Sequence, residues 1–367
     1  WSHSGRIVLA TRKRRSHEVG DQGYHPPVAQ LKVDVQLSTS VIDAAQRARA
    51  LEGAGVDGAF TFENSHDLFL PLAAAAPVCS LDLYTNVAIA FPRSPMHLAH
   101  TAYDLQHLSE GRFRLGLGSQ IKAHVEKRYG SRWGKPVAQM REWVLATKAI
   151  LGHWQDGTPL RFEGEYTRHT LMTPAFDPGP NPHGIPPVLV GALGPKMNEM
   201  AAEVADGILV MPFNSATHME ERTVPAIERG LATAGRSWDD VEITVEVIAA
   251  VGRTDEEIEA ATAIRGILGF YGSTPSYKPV LDVHGWGDLQ PELNRLSKQG
   301  DWATMFGLID DEVMNTLAVV GSPAECASQI VERYGRWADR VCVYFPGYEV
   351  GDDLIAEVTQ EIHAASA

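Results

Sequence analysis

The feature that most restricts how this chain can fold is an alternation. From Leu31 onward, short β-rich stretches and longer helix-patterned stretches take turns eight times. The first stretch, "LKVDVQL", alternates apolar and polar residues, as a strand does. "SVIDAAQRARALEGAG" follows, with Val41, Ala44, Ala45 and Ala48 at helical spacing and a glycine-rich stop. "VDGAFTF", "LDLYTNVAIAF", "RFRLGLG", "PPVLVG", "GILVMPF", "VEITVEVIAAVG" and "RVCVYFP" read as strands 2 to 8. A helix between consecutive strands returns the chain to the same end, so the strands must pair in parallel. Eight such units predict an α/β protein of the (β/α)8 TIM-barrel class. Two interruptions stand out. "PLRFEGEYTRHTLMTPAFDPGPNPHG" predicts a hairpin and a Pro/Gly loop before strand 5, and Thr254 to Trp337 predicts a long helical insertion between strands 7 and 8. The rival is an open doubly wound sheet, but no G-x-G-x-x-G follows the first strand.

The length of 367 residues suits one barrel with insertions, expected over residues 31–367. Residues 1–30 hold Arg6, Arg12, Lys13, Arg14 and Arg15 against Glu18 and Asp21, without sustained periodicity. They are expected to form a poorly ordered basic tail. No apolar run approaches the ~18 residues that span a bilayer, so no membrane association is expected. Cys79, Cys326 and Cys342 lie far apart without metal spacing, so the expected compartment is a reducing cytoplasm and no metal site is expected. A net charge of −14 opposes a sequence-independent grip on nucleic acid.

A parallel barrel carries its chemistry at the C-terminal ends of its strands, so those ends are the places to read. Strand 2 ends in "FENSHD". His66 can exchange a proton near neutral pH, Glu63 can hold a donor or handle the proton, Asn64 can contact a substrate, and Asp67 can orient the histidine or cap the next helix. Strand 4 ends in "GLGSQIKAH". Gly116 and Gly118 permit close backbone approach of a ligand, and Ser119, Gln120 and neighbouring N–H groups can donate to an anion. Beyond them, Lys122, Lys127, Arg128, Arg132 and Lys135 face the single acid Glu126. In an acidic chain this cluster either binds an anion or is a solvated helix face. Strand 5 ends in "GALGPK". Pro195 near the start of a helix makes the Gly191–Gly194 turn either a phosphate site at a helix N-terminus or a routine strand–helix turn. "FYGSTPSY", with Tyr271 and Ser273, is either a lid over the rim or a plain loop.

At these residues the sequence resembles the bacterial-luciferase-like superfamily of flavin and deazaflavin oxidoreductases, especially its actinobacterial coenzyme F420-dependent branch. The resemblance rests on "VAIAFPRSPMHLAHTAYDLQHLSEGRFRLGLGSQIKAHVEKRYG", "LRFEGEYTRHTLMTPAF", "VLVGALGPKMNEMAAEVADG", "FYGSTPSYKPVLDVHGWGDL" and "AVVGSPAECASQIVERYG". It implies a cofactor over the C-terminal rim and a non-proline cis peptide at the end of strand 3, which maps to Asn86-Val87. It also implies phosphate loops at Gly118, Ser119 and Gln120 and at Gly191, Ala192, Leu193 and Gly194, with Lys122 beside the first. Relatives acting on sugar phosphates carry an Asp-His pair where this chain has Glu63-Asn64, which argues against that substrate. The expected activity is hydride transfer between the deazaflavin C5 and a small organic substrate, with His66 or Glu63 as the proton-handling group. One alternative is an FMN-dependent monooxygenase using oxygen and a partner reductase. Another is a barrel that binds cofactor without turnover. The resemblance also suggests a homodimer.

Overall fold

The computed structural model describes residues 30–37 and 40–367. Residues 1–29 lie outside the described residues, and with them nearly all of the expected basic tail. Eight parallel strands close into a barrel: β1 Lys32–Gln36, β2 Gly58–Thr61, β3 Asp82–Thr85, β4 Phe113–Gly118, β5 Val188–Ala192, β6 Gly207–Val210, β7 Glu242–Val251 and β8 Arg340–Tyr344. Closure is made by β8 pairing with both β7 and β1, Cys342 standing opposite Glu246 on one side and Asp34 on the other. The expected barrel is therefore the observed fold, and the open sheet is excluded.

The strands are short and apolar on both faces because helices cover the outside and packed side chains fill the inside. Helices α1 Val41–Gly53, α2 Phe69–Ala75, α3 Pro95–Leu108, α4 Pro136–Asp156, α5 Pro195–Val204, α6 Val224–Ala234, α7 Pro323–Tyr334 and α8 Asp352–Ala365 form the outer layer. Their starts are written in the sequence. Ser94 accepts from the His97 N–H with Pro95 in the first turn, and Ser322 and Glu325 cap α7 reciprocally. The main apolar core lies between strands and helices, through residues such as Val33, Leu51, Leu115, Val144, Ile208 and Ile330.

The bore is filled in layers. At its N-terminal end Arg340 is buried against Asp34, with Nε–Oδ2 2.8 Å and Nη2–Oδ1 2.5 Å, and Nη1 reaches Asp82 at 2.7 Å. Gly58 makes room for this pair, since a Cβ there would lie 2.6 Å from both partners. Above it Phe60, Tyr84, Leu189, Leu209 and Cys342 form a packed layer, bordered toward the mouth by Phe62 and Val87. The Tyr84 hydroxyl links the layers, donating to Asp34 Oδ2 at 2.9 Å and lying 2.7 Å from Cys342 Sγ.

The insertion after β7 contains helices Asp255–Ala261, Arg265–Gly272, Lys278–Asp282, Leu289–Gln299, Trp302–Gly307 and Asp311–Leu317. It has a core of its own, built on Leu268, Leu293, Met305 and Val313 together with Phe213, Ile248 and Ala250 from the barrel. It thus packs on the C-terminal ends of β6 and β7. A short strand, Val319–Gly321, then pairs with the end of β7 before α7. The predicted hairpin is Phe162–Glu163 paired with Arg168–His169. Among the described residues no helix is long and apolar enough to cross a membrane.

Candidate active site

The end of β3 organises the mouth. Tyr84 pairs with Arg114 and Ala88 with Leu117, so β3 spends one more residue than β4 over the same span. That extra residue is a bulge. Within it the Asn86-Val87 peptide is cis, as the family resemblance implies. The bulge explains the glycines of "RFRLGLG". A Cβ on Gly116 would fall 1.8 Å from the Thr85 carbonyl oxygen, and one on Gly118 would fall 2.2 Å from Val87 Cγ2. A Cβ on Gly191 would meet Val87 Cγ1 at 2.9 Å. Gly116 and Gly118 thus make room for Thr85 and Val87. Gly194 differs, because nothing lies within 4 Å of where its Cβ would be.

Side-chain contacts draw the loops after β2, β3 and β4 together. Glu63 forms a bidentate pair with Arg93, at 2.8 and 3.0 Å, and its Oε2 also accepts the Ile89 N–H at 3.2 Å. Both oxygens are thus committed to holding the β2 and β3 loops. Arg128 donates to the Asn64 carbonyl at 2.9 Å, joining the β4 loop to the β2 loop. Tyr129 lies beside Glu63, and burial followed by that carboxylate raises its phenol pKa. Asp67 caps α2, accepting the Phe69 and Leu70 N–H groups at 2.8 and 3.1 Å. His66 and the Asn64 side chain stand exposed on the same loop.

Ser119 and Gln120 leave β4 toward solvent, Gln120 in the left-handed region at φ 58°. Lys122 is exposed, 3.8 Å from Glu126. Ala123, His124, Lys127 and Arg128 line an open groove of about 280 Å³ beside this loop. After β5, Ala192 and Leu193 are buried, while exposed Gly194 starts α5 with no side-chain cap on the first N–H groups. Tyr271 reaches the mouth from the insertion, packed edge-on against Phe213 with ring centroids 6.1 Å apart. Ser273 does not share that place. It is buried, its hydroxyl donating to the Phe270 carbonyl at 2.7 Å, because it closes a helical turn.

The sequence reading passed over Glu246 on β7. Its Oε2 accepts from Asn86 Nδ2 at 3.1 Å, a bond that crosses the bore between opposite strands. Burial pushes its carboxyl pKa up to about 8, and the Asn86 hydrogen bond opposes this only in part. Tyr271 and Tyr344 adjoin it. Burial and then this carboxylate raise both phenol pKa values, that of Tyr344 to about 12. The signal was available: in a barrel strand both faces are covered, so a charged residue in phase with Thr244 must face the bore.

The sequence pattern shared by luciferase-like monooxygenases matches residues 25–340. The chain belongs to this luciferase-like family. An uncharacterized protein of Mycobacterium tuberculosis, Rv1360, is 50% identical over 317 residues, covering 86% of this chain and 93% of that protein. A putative coenzyme F420-dependent oxidoreductase of the same organism, Rv3520c, is 30% identical over 295 residues, covering 76% and 83%. Among solved structures, the coenzyme F420-dependent tetrahydromethanopterin reductase of Methanopyrus kandleri superposes with TM-score 0.76 at 23% identity, over 92% of this chain and 99% of that one. The luciferase-like fold and the gathered mouth fit a deazaflavin or flavin. Val87 caps the barrel core as a floor, Gly194 leaves open space at a helix N-terminus, and cations flank the β4 loop.

Proposed function

We propose that this chain is a coenzyme F420-dependent oxidoreductase acting on a small organic substrate. The observation that carries the reading is the open groove beside the cations Lys127 and Arg128, with Arg128 tied to the β2 loop through the Asn64 carbonyl. The deazaflavin tail bears a phosphate and several glutamates, whereas FMN ends in a single phosphate. A long anionic tail gives a basic groove in a chain of net charge −14 something to hold. When bound, the deazaflavin supplies or accepts a hydride at one ring carbon.

The chain's own residues would do the rest. Val87 and the Asn86-Val87 backbone would support the ring, held by Gly118 and Gly191 below them. Ser119, Gln120 and the N-terminal end of α5 after Gly194 would take the phosphate. Lys122, Lys127 and Arg128 would take the tail. Glu63 and Arg93 would fix the loops, and fixed geometry is the protein's main contribution to hydride transfer. His66, exposed on the rim, would exchange protons with solvent.

The test is a paired binding measurement. Lys122→Glu with Lys127→Glu should weaken F420 at least tenfold, since each reversed charge near the surface costs about 1 kcal/mol. A deazaflavin lacking the glutamate tail should lose far less. Equal losses for both ligands would remove the groove from the account. The family's monooxygenases support a second reading, FMN chemistry with oxygen. It predicts tight FMN binding that is indifferent to the double reversal.

A further inference from the structure

Among the described residues, Glu246 stands apart from the other carboxylates in how little offsets its burial. Its hydrogen bond is from the neutral side chain of Asn86 in the bulge after β3, and among the described residues no cation offsets its burial. The titratable groups that face it are Cys342 and Tyr344 from β8 and Tyr271 from the insertion. Phe213 and Tyr277 pack around Tyr271, and Phe62 and Val87 border the layer below. Glu246 is largely buried but keeps some exposed surface, as do Asn86, Tyr271 and Tyr344, so solvent and a ligand can reach this group. An acid in an aromatic surround, beside the cis peptide and reachable from outside, has the placement of a proton donor.

We propose that Glu246 is the acid of the reaction, delivering its proton to the oxygen or nitrogen adjoining the carbon that gains the hydride. The proposal rests on the preceding reading that a hydride-transferring cofactor occupies the mouth. It names the substrate class: an uncharged carbonyl or imine compound. Among the described residues the surround holds no cation to receive a carboxylate or phosphate, and an anion beside Glu246 would oppose it. The balance closes. The carbon gains a hydride from the two-electron donor, and the C=O or C=N π-bond breaks as its oxygen or nitrogen takes the Glu246 proton. The product is an alcohol or amine, the donor is oxidised by two electrons, and Glu246 is left as carboxylate until water at the mouth reprotonates it. A carboxyl pKa pushed up to about 8 keeps the acid form in the majority at neutral pH. Tyr271 and Tyr344 stay protonated there and can hold the same substrate atom by hydrogen bonds.

Dicyclohexylcarbodiimide adds to protonated carboxyls in apolar surroundings, so labelling of the full chain followed by peptide mapping reads the proton directly. Glu246 should label at about pH 6 and roughly thirtyfold less at about pH 9.5, as a group titrating near 8 must. Saturating F420 should protect it. No labelling, equal labelling at both pH values, or labelling that neither F420 nor FMN slows would overturn the proposal. Protection by FMN and not by F420 would support the placement of Glu246 while overturning the F420 reading, so the two failures differ. In single-turnover oxidation of the reduced cofactor by simple ketones and cyclic imines, Glu246→Gln should lose about 10²–10⁴-fold in rate. Its cofactor Kd should stay within about twofold. An undiminished rate at unchanged Kd contradicts the role.

Discussion

A methyl group added at position 118 would press into Val87, whereas one added at position 194 would meet open space. This contrast turns the glycines into a test. Gly118→Ala should destabilise the protein by about 1–3 kcal/mol, the usual cost of overpacking, and should weaken cofactor binding by displacing Val87. Gly194→Ala, at φ −72°, should change stability by less than about 0.5 kcal/mol. Urea denaturation of both variants checks this, and equal effects would refute the packing account. The residue scale is also where the sequence was least legible. That "GLG" matters was readable, but its partner Val87 is brought close only by the β3 bulge. Glu63 looked like a free carboxylate because Arg93, 30 residues on, gives no local sign of pairing with it. Glu246 sat inside "VEITVEVIAAVG", away from the strand end, and its partner Asn86 lies 160 residues away across the bore.

Strands and helices were far more legible than contacts, because periodicity and caps are local. All eight strands fall where "LKVDVQL" through "RVCVYFP" placed them. The insertion was legible as helical, but its seat was not, since that depends on apolar matching with Phe213 and Ile248. Part of its attachment is polar. His284 Nε2 lies 2.8 Å from Ser215 Oγ, and its ring stacks on Trp286 at 4.6 Å. Beside Ser215, His218 is buried with Nδ1 2.8 Å from Asn214 Oδ1. Burial, then Arg222 and His284, lower the His218 pKa from 6.5 to about 4. The unfolded chain therefore binds this proton at higher pH than the folded one. The stability that neutral His218 contributes is complete above about pH 6.5 and is lost as pH falls toward about 4. Urea midpoints should drop between pH 7 and pH 5, and His218→Gln should reduce the slope. Hydrogen exchange should quicken first in residues 254–317. A flat profile would place the anchor elsewhere.

For the molecule as a whole, the decisive arrangement is that the loops after β2 to β5 converge on one mouth. Glu63–Arg93 and Arg128–Asn64 tie three of them, and Val87 rests on the glycines of β4 and β5. The groove beside Lys127 and Arg128 adjoins these loops, since Arg128 holds the β2 loop at Asn64. The account's central claim is that the mouth takes an anion-tailed deazaflavin. Parallel titration of the purified full chain with F420 and FMN, followed by fluorescence and absorbance, tests this most directly. The account predicts saturable F420 binding that is at least tenfold tighter than FMN binding and weakens as salt rises. Binding of FMN with none of F420 would contradict it.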